Sequence, residues 1–206
     1  MALNVRINVR DIQKEIEKEY NKRIRSSLPK IQSVLGRKIE DIVFQKLIGG
    51  IPTITGNDLY EMGIPDINNR LTSIIQTISK NVKVQVSTAK TTIKITITIL
   101  QEDYSDILAL PQSVFVYSAA TGSGILEWLK WMLLSGNNPV IIGFDYDPAP
   151  SVNSRTGGGM MVRGGSWNVP PSLAGSSDDN ILTRALNNIE QDIKLTIERE
   201  MSRILK

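Results

Sequence analysis

Asp145 and Asp147 flank Tyr146 at the end of an apolar run, and this spacing puts two carboxylates on one face of a strand, where a divalent cation could sit. Two ligands are too few, and Glu102, Asp103 and Asp106 are the acidic residues available to complete a carboxylate-metal site for hydrolysis. A second candidate is Gly157-Gly158-Gly159-Met160-Met161-Val162-Arg163-Gly164-Gly165, because consecutive glycines let backbone N–H groups crowd an anion. It lacks the Gly-Lys-Ser/Thr ending of a phosphate loop, and no helix follows at once, so a glycine-rich β-turn or flexible tip is the plainer reading. Gly122-Ser123-Gly124 is a shorter version of the same idea, in which Ser123 reads as a helix N-cap. Trp128, Trp131 and Trp167 could stack on single-stranded nucleic acid or sugar. Trp128 belongs to a core stripe, whereas Trp131 and Trp167 suit an exposed surface, which in a protein interface uses tryptophan equally readily.

The chain has neither cysteine nor histidine. Disulfides, thiolate nucleophiles, most zinc sites and every triad with an imidazole base are excluded. Weighed against ordinary solvated strand ends and turns, none of the candidates above is assigned as a catalytic, cofactor or metal site, and the chain is read as a non-enzyme.

Its 206 residues, 41% hydrophobic and 22% charged, suffice for a packed globular fold. No run of about 18 apolar residues is present, and Met1-Ala2-Leu3-Asn4-Val5-Arg6 lacks the apolar core of a signal peptide, so synthesis in the cytoplasm and no membrane contact are expected. The net charge of +3 is uneven, since residues 1–50 hold eleven Lys/Arg against six Asp/Glu. Lys14, Lys18 and Lys22 alternate with Glu15, Glu17 and Glu19, the pattern of a solvated or partner-contacting helix face more than of a DNA surface. A nucleic-acid-binding module that uses this basic helix, through Arg23, Arg25, Lys30, Arg37 and Lys38, stays open as an alternative.

The elements that must position these residues follow from periodicity. Asp11 is placed to cap a helix whose stripe is Ile12, Ile16, Tyr20, Ile24 and Leu28. Pro29 should kink or divide it, after which Ile31, Val34, Leu35, Ile39, Ile42, Val43 and Leu47 continue the stripe to a stop at Gly49-Gly50. A turn-rich connection with one helical turn at Asp58 to Met62 leads to a second helix, capped by Asp66, with Ile67, Leu71, Ile74, Ile75 and Ile78 on one face and its end at Asn81. Val82, Val84 and Val86, then Ile93, Ile95, Ile97 and Ile99, alternate with polar residues and predict a β-hairpin turning around Ser87 to Thr91. Gln112 to Tyr117 reads as a strand or strapped loop, Gly124 to Ser135 as a helix with Ile125 on its apolar face, and Val140 to Phe144 as a strand covered on both faces. Residues 147–177 hold six of the fifteen glycines and four of the nine prolines, which marks a structured, extended excursion. Ser176, Ser177 or Asp178 then caps a last helix, with a stripe from Ile181 to Leu205. The expected architecture is one α+β domain over residues 1–206, with a small, mostly antiparallel sheet, long amphipathic helices at both termini and a glycine-rich hairpin or arm.

The motifs Ser154-Arg155-Thr156-Gly157, Met160-Met161-Val162, Gly165-Ser166-Trp167-Asn168-Val169-Pro170-Pro171, Ala174-Gly175 and Asp179-Asn180 to Thr183-Arg184-Ala185 resemble the C-terminal half of neck or tail-completion proteins of tailed bacteriophages. The upstream order, a long helix, Thr55-Gly56-Asn57-Asp58-Leu59, a hairpin and a terminal helix, is similar to the small α+β tail-completion family. The resemblance implies a structural virion protein, made in the host cytoplasm, that forms a homo-oligomeric ring of six or twelve copies between the head connector and the tail. The implied partners are neighbouring neck, connector or tail-terminator proteins, with transient non-specific DNA contact. A ring subunit needs elements that reach its neighbour, and strand addition by a glycine-rich hairpin supplies reach. The interface is therefore expected at residues 151–171, through Arg155, Gly157, Gly158, Gly159, Met160, Met161, Val162, Arg163, Trp167, Pro170 and Pro171.

Overall fold

The computed structural model describes residues 9–89, 92–119 and 122–205. In order, α1 spans Val9–Gly50, α2 Gly56–Met62 and α3 Ile67–Lys80, followed by strands β1 Lys83–Ala89 and β2 Thr92–Thr98. A short α4, Ser105–Leu108, and a 3-10 turn at Pro111–Ser113 lead to β3 Phe115–Ala119 and β4 Gly122–Leu126. Next come α5 Trp128–Leu134, β5 Pro139–Asp147, β6 Met160–Asn168, α6 Ile181–Ala185 and α7 Ile189–Ile204. The fold is α+β, and its strands form three antiparallel ribbons, β1–β2, β3–β4 and β5–β6, instead of one sheet. Among the described residues no helix is long and apolar enough to cross a membrane. The chain divides into two compact units, residues 1–39 with 82–98 and 190–206, and residues 40–81 with 99–189.

Helix α1 passes through Pro29 without a break. The proline removes one hydrogen bond and costs about 3 kcal/mol. Ile24, Ile31, Leu35, Ile39, Val43 and Leu47 are all buried, and at roughly 1.5 to 3 kcal/mol each they outweigh that cost. The buried stripe begins later than expected, since Tyr20 is 47% exposed. Asp11 lies inside α1 and not at a cap position; its side chain, those of Ile12 and Ile16, and the segment Met1 to Arg6 lie outside the described residues.

In the first unit, β1 pairs with β2 in the register Val84↔Ile97, Val86↔Ile95 and Thr88↔Ile93, which puts the apolar residues on one face. Ser87, Thr88 and Ala89 still belong to the ladder, so the connection is shorter than the expected Ser87 to Thr91; Lys90 and Thr91 lie outside the described residues. On α7 the buried Glu200 carboxylate lies 2.9 Å from Arg203 and 3.7 Å from Arg199, but among the described residues its Oε2 has no hydrogen bond, so the two arginines offset only part of the cost of withdrawing its charge from water.

The second unit is built around α3, whose Ile67, Leu71, Ile74, Ile75 and Ile78 are buried as their spacing predicts. Asp66 does not cap it: the residue adopts a left-handed backbone, φ 56°, and its side chain makes no cap bond. The turn-rich entry is instead pinned by Asn68, whose amide exchanges two 3.0 Å hydrogen bonds with the backbone of Ile54. Gly50 ends α1 against α6, where an added Cβ would lie 2.8 Å from Cα of Ala185. Trp128 is buried, and its indole N–H donates to the carbonyl of Gln112 at 2.9 Å.

Three expectations are corrected here. Gly122 to Leu126 is strand, not the start of a helix, so Ser123 faces Ser118 in a ladder and Ile125 is 63% exposed. The Tyr117 ring lies over Gly124, where no other side chain would fit, and this cross-strand cover makes a strand of a glycine-rich segment. The Val140 to Phe144 run is not a covered central strand: β5 pairs only with β6, leaving Ile142 81% and Phe144 41% exposed. The terminal helix is divided between α6 and α7 by Asn188, which adopts φ 61°.

The cap of α6 is Asn180, not Ser176, Ser177 or Asp178. The fully buried Asn180 side chain accepts N–H bonds from Leu182 and Thr183, and donates to the Tyr104 hydroxyl at 2.8 Å and the Ser176 carbonyl at 2.9 Å. Tyr104 in turn donates to the carbonyl of Ser177. Replacing Asn180→Ala removes the cap and strands buried polar groups, so a loss of about 2 kcal/mol or more is expected. Chemical denaturation of the variant tests this, and an unchanged midpoint would show that the node is dispensable.

Candidate functional site

Within the second unit, Gly159 and β6 wall a cleft of about 500 Å³. Tyr60 from α2, Tyr117 from β3, Trp131 from α5, and Tyr146 and Trp167 from the β5–β6 ribbon give it aromatic sides; Met62, Met160 and Met161 add adaptable apolar surface. Gly158 and Gly159 are required by this wall, since a Cβ on Gly158 would overlap the Tyr60 ring and one on Gly159 the carbonyl of Asp147 and the ring of Tyr146. Gly158 and Gly159 are thus packed and not a flexible tip, while Gly157 stays exposed in open space, and what the two packed glycines let approach is tyrosine, not an anion.

The ribbon is bent at Gly143, Gly164 and Gly165, which take φ values of 84°, 133° and 53° where the register shifts between Ile142 and Phe144. β6 carries one extra residue there, a bulge that only glycine accommodates without strain. Beyond it the pairs Asp145↔Val162 and Asp147↔Met160 share one face, and Tyr146↔Met161 the other. The two aspartates do share a face, yet each is engaged locally, Asp145 with the N–H of Tyr146 and Asp147 with that of Ala149, both at 2.9 Å. Asp103 and Asp106 likewise accept from Ser105 and Ile107. Among the described residues no group of three or more Asp or Glu is placed to hold a metal ion.

Charge in the cleft comes from Arg155 and Glu61. The Arg155 guanidinium stands 5.2 Å from the centre of the Tyr117 ring and 5.7 Å from that of Phe115, whose ring also carries Arg70 at 5.5 Å. Burial first, then the neighbouring charges of Asp58 and Asp145, push the Glu61 carboxyl above the usual carboxylate range. Burial also raises the Tyr146 hydroxyl, against the pull of the Gly159 N–H that it accepts at 3.2 Å, so it stays neutral with its own proton free to donate. The arrangement can hold a flat or apolar group with one polar end.

The expected interface residues are split by this packing. Gly158, Gly159, Trp167 and Pro170 are buried within the unit, and Met161 is half-buried in the cleft wall. Arg155, Gly157, Met160, Val162, Arg163 and Pro171 are exposed. Trp167 is not on an open surface: it meets Trp131 edge to face with ring centres 5.8 Å apart. Among the described residues its indole N–H is buried without a hydrogen-bond partner, a cost that the packing of the ring must offset. The residues that sequence reasoning missed are Tyr60, Glu61 and Tyr146, and their spread along the chain gave no periodic signal. No protein-family model, curated protein or solved structure matches this chain.

Two outcomes are expected of substitutions here. Gly158→Ala or Gly159→Ala should cost more than about 2 kcal/mol, because backbone and ring must move, whereas Gly157→Ala, in open space, should cost only about 1 kcal/mol for its positive φ; equal losses in denaturant would contradict the packing. The raised Glu61 carboxyl favours the folded state below the ordinary carboxylate pKa, and that contribution is lost as pH rises through the raised value. Glu61→Gln should therefore raise the melting temperature at neutral pH, with the gain vanishing below about pH 4. A gain independent of pH would refute this.

Proposed function

We propose that the chain is a structural subunit of a tailed-phage neck or tail-completion ring, assembled through the β5–β6 ribbon. One observation carries the reading. Ile142, Phe144, Met160 and Val162, at 81%, 41%, 38% and 37% exposure, stand on a two-stranded ribbon with no third strand on either edge among the described residues. Exposed apolar side chains beside open strand edges are a liability in a monomer and an asset in an assembly. A closed ring uses a heterologous contact, in which this ribbon meets a different surface of the next copy by packing and main-chain pairing. The resemblance in the Ser154 to Ala185 motifs supplies the virion setting, six or twelve copies, and the neck, connector or tail-terminator neighbours.

Deletion of residues 151–171 would remove β6 and the buried Trp167 and so would test folding as much as assembly. The double substitution Ile142→Asp/Phe144→Asp touches exposed positions only. Native mass spectrometry is expected to give rings for the parent chain and folded monomers for the variant. Rings that persist in the variant, or a parent chain monomeric at every concentration, would refute the reading.

A further inference from the structure

We infer that the first compact unit is a sequence-independent binding surface for the phosphate backbone of double-stranded DNA. The three chain segments that make this unit hold seventeen Lys/Arg against eight Asp/Glu, whereas the segments of the second unit hold seven against thirteen. A small net charge thus hides a unit near +9 and a unit near −6. The excess comes from two separate stretches, residues 1–39 and 82–98, since residues 190–206 hold four charges of each sign.

Their local arrangement suits a regular polyanion. On α1, Arg23, Ser26, Lys30, Ser33 and Arg37 are exposed and recur at three- and four-residue steps, one stripe on the side away from the buried Ile24, Ile31, Leu35 and Ile39. The three cations are about 10 Å apart along the axis. No acidic residue occurs between positions 20 and 39; Glu19 before this span lies 3.9 Å from Arg23, and Glu40 and Asp41 follow one turn beyond Arg37. The outward face of β1–β2 repeats the pattern: Lys83 pairs across from Thr98, Gln85 from Thr96 and Ser87 from Lys94, all six exposed. No acidic residue occurs anywhere from position 67 to 101. Both surfaces present cations interleaved with hydroxyl and amide donors, the groups that contact phosphate oxygens, and neither presents a base-reading arrangement.

A second copy of the chain is the competing polyanion, through its acidic unit. It fits less well, because Asp103, Asp106, Asp145 and Asp147 are engaged by neighbouring backbone N–H groups and Asp179 by Arg184 at 2.6 Å. These carboxylates accept bonds from groups close by in the chain, whereas Lys30 and Arg37 of the basic stripe are exposed.

The test is fluorescence anisotropy with short DNA duplexes of unrelated sequence across a salt series, using the full chain, Arg23→Ala/Lys30→Ala/Arg37→Ala, Lys83→Ala/Lys94→Ala, and a control, Lys130→Ala, in the second unit. The parent should bind every duplex alike, with affinity falling linearly on a log–log salt plot. The triple variant should flatten that slope by about 2 to 3 and the double variant by about 2, each unchanged in circular dichroism, while the control leaves it unaltered. Absence of duplex binding at low salt, or parental slopes in both variants, would overturn the inference. So would a salt-sensitive self-association without DNA that both basic variants abolish while their duplex slopes stay parental; that result would assign the surface to a second copy. None of these outcomes depends on Ile142 or Phe144, so ring assembly and DNA binding fail or stand separately.

Discussion

The amide of Asn180 is withdrawn from water completely, and the second unit is arranged so that every polar atom of that side chain still finds a partner. Its oxygen takes the first free N–H groups of α6, and its nitrogen gives to Tyr104 and to the carbonyl of Ser176. Satisfying one buried amide therefore fixes α4, the segment before α6 and α6 itself in a single geometry. Gly175 follows from the same constraint, since a Cβ there would press on Asn180 and on the carbonyl of Met132 in α5. Its own carbonyl accepts from Gly136 at 2.8 Å, which closes the end of α5 just before β5 begins. The start of the exposed ribbon is thus tied through two glycines to a buried hydrogen-bond node. Ala185, one turn into α6, is the surface against which Gly50 ends α1.

Much of this was legible in the sequence wherever burial has a period. The stripe of α1 from Ile24 onward, that of α3 and the alternation of β1–β2 are local patterns, and the structure buries or pairs most of their residues as spacing requires. What escaped is non-local. Gly122-Ser123-Gly124 carries the signature of a helix entrance, and it becomes a strand only because the Tyr117 ring covers Gly124 from the facing strand. Val140 to Phe144 has the apolar continuity of a central strand, but a strand is central only when neighbours flank it, and among the described residues its one partner is β6. The break at Asn187-Asn188 was hidden by an unbroken apolar stripe, because one residue in the left-handed region interrupts a helix without altering composition. Of the cleft, Trp131, Arg155, Gly159, Met160, Met161 and Trp167 were singled out in the sequence, whereas Tyr60, Glu61 and Tyr146 come together through tertiary packing alone.

The glycine-rich stretch holds two kinds of glycine that look alike in sequence. Gly158 and Gly159 are defined by the aromatic rings pressed against them, Gly164 and Gly165 by a backbone conformation at a bulge, Gly164 in open space and Gly165 beside the Asp145 side chain. The first kind joins the ribbon to α2, and the second re-aims its strands midway. A packed root and a bent, exposed length are the mechanical requirements of an element that holds its position while presenting side chains outward.

Energetic scale separates what the fold needs from what it merely tolerates. Two like charges about 10 Å apart in water repel by about 0.4 kcal/mol, and physiological salt reduces that further. The cations on the outer stripe of α1 therefore cost the first unit little, while Ile24, Ile31, Leu35 and Ile39 on the opposite side each contribute several times as much. Helix formation and burial fix the inner stripe and leave the outer one almost unconstrained. A random choice among solvated residues would mix signs there, as Lys14 to Glu19 do at the start of the same helix. One sign over residues 20–39, and again over the hairpin, is thus a property that stability does not demand.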